Sequence, residues 1–243
     1  MPQKIFLSIS SAIAIMIGVS CPWDISAQGE VDVPADQSLV DPVPRTTPKY
    51  EENLKLFTEK FRQMNPSVLF IGDSITQQWQ RAERGLPVWE KYFKDIKPGN
   101  FGIGGDRTQN VIWRIEKAKW DGVNPNTIVL MIGTNNGDKG EALFEAQKII
   151  VKMLNERFPK AKIIFIPVLP RCDRGSNFKT LVFSANKFAP RLVSECKNVT
   201  ILDMTDKFID GQKVLKKELF VDGLHLSTAG FEVWAQSLLP LLK

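Results

Sequence analysis

The chain holds one histidine, His225, and it stands three residues after Asp222. Imidazole titrates near neutral pH, so proton transfer at that pH commonly recruits it. Here any such role falls to a single position. A nearby carboxylate can hold imidazole Nδ1 and orient the ring, which leaves Nε2 to take a proton from a nucleophile. Ser74 is the nucleophile candidate, at the point where an apolar run gives way to Gly72-Asp73-Ser74. A hydroxyl at a strand-to-helix junction projects into a cleft, and its own N–H belongs to a helix start of positive character. Gly105, preceded by Gly104, lets the backbone approach a ligand and present a further N–H. Asn135 offers a side-chain amide to a developing oxyanion. Nucleophile, base, orienter and oxyanion donors are the parts of an acyl-transfer site.

Each part has a plainer reading. Ser74 fits a helix N-cap, worth about 1 kcal/mol. Gly104-Gly105 fits a tight turn or a phosphate-cradling loop, although position 107 is Arg107 where a dinucleotide loop would need glycine, and no Gly-Lys-Ser/Thr follows. Asn135, beside Asn136-Gly137, fits a loop residue in left-handed geometry. Asp222 and His225 at three-residue spacing fit one helical turn with a local hydrogen bond. Arg171 either meets an anionic or sugar leaving group or forms a structural salt bridge. One histidine, no His-Glu-x-x-His and scattered cysteines supply no metal-ligand set.

These residues become one site only if the fold gathers them. Apolar runs at 67–71, 127–132, 162–167 and 199–203 predict strands, with a shorter one at Asn100-Phe101. Their continuous apolarity fits strands buried on both faces of a parallel sheet. Helical patterns occupy 50–64, 107–120, 140–158, 177–194 and 227–242. The alternation predicts a three-layer α/β/α sandwich around a central parallel sheet, flavodoxin-like in its layering. Ligands of such sheets bind beyond the carboxyl ends of the strands, where Ser74, Gly105 and Asn135 all fall.

Composition fits a soluble globular chain, 43% hydrophobic and 24% charged. The net charge of +5 is dispersed, which does not mark a nucleic-acid surface. Lys4 followed by an apolar stretch at 5–19 predicts an export signal over 1–28, too short for the roughly 20 residues of a membrane span. Cys21 after Gly18-Val19-Ser20 leaves a lipid-anchored form open as the lesser reading. Residues 29–49, with Pro34, Pro42, Pro44 and Pro48 among aspartates, predict a linker ahead of one domain at 50–243. Cys172 and Cys196 flank the helix expected at 177–194. About 18 residues at 1.5 Å rise hold its ends roughly 27 Å apart, too far for a disulfide between them, so two free, mostly buried thiols are expected.

Four blocks carry a resemblance: Gly72-Asp73-Ser74-Ile75, Gly102-Ile103-Gly104-Gly105-Asp106, Gly133-Thr134-Asn135-Asn136 and Asp222-Gly223-Leu224-His225. In this order they resemble the blocks of the SGNH (GDSL-type) hydrolases, with Ile75 in place of the usual leucine. Asn100-Phe101 leading into the second block, and Val168-Leu169-Pro170-Arg171, are similar to platelet-activating-factor acetylhydrolase catalytic subunits. The resemblance implies a Ser74–His225–Asp222 triad and an oxyanion hole of the Ser74 and Gly105 N–H groups and the Asn135 amide. It implies no metal and no cofactor. The expected activity is an exported serine esterase acting on short, acetyl-type esters of small molecules or glycans, with Ile75 and Leu224 narrowing the acyl pocket. A lysophospholipase or short-chain lipid esterase, and a non-catalytic binder of the same fold, are the alternatives. Monomer and dimer both remain open.

Overall fold

A computed structural model describes residues 38–45, 50–173 and 180–242. After helix α1 (Tyr50–Met64) come strand β1 (Val68–Gly72), the short α2 (Ser74–Gln77), α3 (Leu86–Tyr92), β2 (Pro98–Gly102) and α4 (Thr108–Lys117). They are followed by β3 (Thr127–Met131), α5 (Glu141–Arg157), β4 (Lys162–Phe165), α6 (Arg191–Glu195), β5 (Val199–Ile201), α7 (Thr205–Phe208) and α8 (Thr228–Leu238). The five strands form one parallel sheet in the order β2-β1-β3-β4-β5. The order reverses direction at β1, and the crevice at such a switch point, beyond the carboxyl ends, is where open α/β sheets bind ligands. Gly72, the last residue of β1, pairs with Gly102 on one side and Met131 on the other. The three loops that follow therefore start level with one another.

Every residue of β1 and β3 is buried, as their unbroken apolar runs require. Successive side chains serve opposite layers. Leu69, Ile71, Ile128 and Leu130 pack with α1, α4 and α5 through Leu54, Phe61, Val111, Ile150 and Leu154. Phe70, Val129 and Met131 pack with α3 and α8 through Trp89, Phe231 and Trp234, and with Trp79 and Phe93 at the flanks of α3. The predicted α/β/α sandwich is thus the architecture observed.

Several expectations change. The helix expected over 177–194 is, in its described part, a 3-10 turn at Ser184–Phe188 and then α6, starting behind Pro190. Proline interrupts a helix because it lacks the N–H and clashes with the preceding turn. Two free thiols are corrected to one: Cys196 is free, whereas Cys172 is disulfide-bonded. Helix length bears only on the pairing of these two cysteines with each other.

The linker reading is corrected for residues 38–45, which lie along the N-terminal end of α4. Leu39 and Val40 pack against the core. Val43 N–H donates to Gln109 O at 3.2 Å, Thr108 Oγ1 to Leu39 O at 2.8 Å and Asn110 Nδ2 to Val43 O at 3.0 Å. On the 38–45 side these bonds are made by main-chain groups, so no side-chain periodicity there foretells them. The rest of the linker, the export signal and Cys21 lie outside the described residues. Among the described residues no helix is long and apolar enough to cross a membrane.

Candidate active site

Ser74 is the first residue of α2, directly beyond β1. The junction is tight: a Cβ on Gly72 would stand 2.2 Å from Thr76 Oγ1 and 2.4 Å from Met131 O, so only glycine fits. Asp73 caps α2 by accepting the Ile75 N–H at 3.0 Å. Ser74 is therefore not the cap, and its hydroxyl is available for other use. That hydroxyl lies 3.0 Å from His225 Nε2.

His225 is buried, and its Nδ1 lies 2.7 Å from Asp222 Oδ2. Asp222 Oδ1 also accepts the N–H groups of Leu224 at 3.0 Å and His225 at 2.6 Å. Burial pushes the Asp222 carboxyl upward, but the hydrogen bonds from the His225 ring and backbone and its charge outweigh this and hold it below its ordinary range. Asp222 stays ionised and fixes the ring. The two residues share a turn rather than the helical turn expected. Gly223 takes φ +76°, and Val221 N–H donates to His225 O at 2.9 Å across the loop.

The loop after β2 continues the ladder, with Ile103 N–H donating to Gly72 O at 3.2 Å, and then turns as Asp106 N–H donates to Ile103 O at 3.2 Å. Gly105 has φ +78°, which an L side chain rarely adopts. A Cβ on Gly104 would stand 3.7 Å from Ser74 Cβ, so this turn lies against the nucleophile. After β3, Asn135 sits in a 3-10 turn at Thr134–Asn136 and donates from Nδ2 to Asp106 O at 2.9 Å. One amide hydrogen ties the two loops, and the other is left for a ligand. The N–H groups of Ser74 and Gly105 have no acceptor among the described residues. These three groups lie on α2 and the two adjoining loops, beside a hydroxyl whose proton has an acceptor.

Sequence reading missed what stands behind the donors. Arg114 on α4 and Asp106 are fully buried and paired at 2.8 Å. Arg114 also donates to Phe101 O at 2.8 Å and Gly72 O at 3.2 Å, which joins the ends of β1 and β2. Tyr50 OH lies 3.2 Å from Asp106. Burial pushes Asp106 up to about 6 against the downward pull of Arg114 and Arg45. Asn136 Oδ1 accepts Thr108 N–H at 3.1 Å, and Nδ2 donates to Thr108 Oγ1 and Gln109 Oε1. Neither Asn135 nor Asn136 takes the left-handed geometry that the Asn136-Gly137 pair suggests; Gly137 does, and Asn136 is a buried strut beside Asn135.

Two expected pocket residues are not in the pocket. Ile75 is 2% exposed and packs in the core under the sheet. Successive helical residues point about 100° apart, so the neighbour of Ser74 faces away from it. Arg171 is equally buried, donates to Thr134 O and Oγ1 at 2.9 Å, and forms an ion pair with Asp173. Its guanidinium holds the Asn135 loop and is not open to a leaving group. Leu224, half-buried, stays beside His225.

A parallel sheet with these blocks at its switch point fits a hydrolase of GDSL type. A profile of the GDSL-like Lipase/Acylhydrolase family matches residues 70–233, and the chain belongs to that family. It is 32% identical over 167 residues to human (Homo sapiens) platelet-activating factor acetylhydrolase IB subunit alpha2, covering 68% of this chain and 71% of that protein. A solved Streptococcus pneumonia structure described as a platelet activating factor aligns with TM-score 0.61 and 26% identity, over 80% of this chain and 97% of the other. An acetyl xylan esterase shares the fold, with TM-score 0.56 and 18% identity, over 72% of this chain and 99% of the other. The protein is an ester hydrolase.

Proposed function

We propose that the protein cleaves short-chain, acetyl-type esters through an acyl-enzyme on Ser74. The observation that carries this reading is the chain Ser74 Oγ–His225 Nε2–Nδ1–Asp222 Oδ2, with steps of 3.0 Å and 2.7 Å. Ser74 Oγ attacks the ester carbonyl carbon while its proton passes to His225 Nε2. The carbonyl oxygen becomes an oxyanion held by Ser74 N–H, Gly105 N–H and Asn135 Nδ2–H. Collapse breaks the bond to the alcohol oxygen, which leaves with the proton from His225. Water then attacks the acyl-serine, with His225 as base, and releases the carboxylic acid. Asp222 keeps the imidazole in the tautomer that accepts at Nε2.

An acetyl-sized acyl group is supported by the acetylhydrolase name of relatives 32% identical to this chain. With Ile75 in the core, that preference no longer rests on both apolar neighbours, and Leu224 alone remains beside the base. Export is supported by the apolar stretch at 5–19 behind Lys4. On an exported enzyme, an acetylated glycan is the substrate class favoured. A short-chain lipid ester is the second reading, favoured by the platelet-activating-factor name of the same relatives.

A fluorophosphonate probe should label the wild-type protein at Ser74 and leave Ser74→Ala unlabelled. Acetate release from acetylated sugars, xylan and lysolipid analogues then ranks the leaving groups. Labelling of Ser74→Ala at the wild-type rate would overturn the nucleophile. Faster turnover of long-chain than of acetyl p-nitrophenyl esters would overturn the acyl preference.

A further inference from the structure

Residues 38–45, read from sequence as part of a linker, bring one charged group to the oxyanion loop. Arg45 Nη1 donates to Gly104 O, and the guanidinium lies 4.0 Å from Asp106 with the side chain only 14% exposed. A Cβ on Gly105 would stand 2.8 Å from Arg45 Nη1, so the guanidinium rests on the turn itself.

The contacted atom matters because of what shares its peptide. Gly104 C=O and Gly105 N–H are opposite ends of one planar unit. The turn from Ile103 to Asp106 has positive φ at Gly105 and not at Gly104, which makes it type II. Types I and II differ by roughly a half-rotation of that middle peptide, and glycine at both central positions leaves either form sterically open. In the observed form Gly105 N–H is free to serve the oxyanion. In the flipped form a carbonyl oxygen would take the place of that donor.

We propose that Arg45 is a positioning residue that locks the Gly104–Gly105 peptide with its N–H directed to the oxyanion. Its charge-assisted bond to Gly104 O stabilises this form alone. It also polarises the peptide so that Gly105 N–H becomes a stronger donor. Asp106 holds the guanidinium from the other side and is itself held by Arg114 and Tyr50. The inference rests on the acyl-enzyme reading, with Gly105 as an oxyanion donor.

The test is Arg45→Ala in the full chain, assayed on p-nitrophenyl acetate. Losing one oxyanion donor outright costs about 10²–10³ in kcat. A peptide flipped about 90–99% of the time should therefore lower kcat by about 10- to 100-fold. KM and Tm should stay at wild-type values. Guanidinium at millimolar concentration should restore part of the rate, and Arg45→Lys should fall between the two proteins. Binding of a boronate transition-state analogue should weaken by the same factor as kcat/KM. Wild-type kcat in Arg45→Ala, or a loss that follows a fall in Tm and does not respond to guanidinium, overturns the inference. Ser74→Ala separates the two levels. If that variant keeps its turnover, the acyl-enzyme reading fails. If it is inactive while Arg45→Ala is fully active, only the role of Arg45 fails.

Discussion

Two loops carry the proposed oxyanion donors, and each has a buried arginine behind it, but the arginines do different work. Behind the Gly105 loop, Arg114 pairs with a carboxylate of the loop itself, and both side chains are 0% exposed. It reaches the last turns of β1 and β2 through Gly72 O and Phe101 O. Behind the Asn135 loop, Arg171 touches Thr134, while its carboxylate, Asp173, lies two residues along its own chain and is 8% exposed. The Gly105 loop is built on glycine, so its shape is imposed by charged groups outside it. The Asn135 loop is a 3-10 turn further fixed by Asn136, whose side chain makes three hydrogen bonds. The more permissive backbone carries the more extensive clamp.

The largest effect should come from removing what both loops serve. His225→Ala should lose about 10⁴-fold or more in kcat, leaving the residual catalysis that oxyanion donors and binding supply. No second histidine exists to replace it, and circular dichroism should show an unchanged fold. Residual activity near wild type would mean that the loops serve some other base.

Next comes the contrast between the arginines. Arg114→Leu leaves Asp106 buried without its main partner, a change that typically costs about 3–5 kcal/mol. Arg171→Leu should cost less, because Asp173 lies nearer solvent. Urea unfolding of the two variants measures the difference, and adding Asp106→Asn should recover part of the Arg114→Leu loss. Equal losses would show that the two clamps carry the same load. Asn135→Ala is an active-site change and should keep stability near wild type while lowering kcat about 10²–10³-fold.

The same contrast marks what was legible in the sequence. Ser74, Gly105, Asn135, Asp222 and His225 sit in short strings because each must occupy one loop at one sheet edge. The sheet was legible from its unbroken apolar runs. Arg114 was not, because an arginine on an amphipathic helix reads as a solvent-facing residue until its partner is known. Asp106 stood inside a recognised block, but its partners Arg114 and Tyr50 are 8 and 56 residues away. Residues 38–45 dock through main-chain bonds, which leave no periodic signature. Closeness in sequence to Ser74 suggests Ile75 for the pocket, and a place after a strand at the same sheet edge suggests Arg171, whereas the direction of the side chain decides.

The smallest effect concerns a third buried carboxylate, one that neither arginine pairs with. Asp73 is 1% exposed and accepts only the Ile75 N–H among the described residues. Burial pushes it up to about 7 from 3.8, and the Ile75 bond and the charges of His225 and Arg171 only partly oppose this. A carboxyl with a raised folded-state pKa holds its proton more tightly when folded than when unfolded. Its contribution to stability is therefore greatest below about pH 4, declines as pH rises toward about 7 and is level above that. Asp106, pushed up to about 6, adds a slope of the same sign. Asp222, held low, acts in the opposite sense and only in more acid solution, where protonation removes its stabilising bonds. Asp73→Asn keeps a good N-cap and removes one titration. The variant should gain stability relative to wild type above pH 7 and show a shallower Tm decline between pH 4 and 7. An unchanged Tm–pH slope would mean that the Asp73 carboxyl does not titrate differently in the folded and unfolded chain, and the distinction between paired and unpaired carboxylates around the two loops would fail.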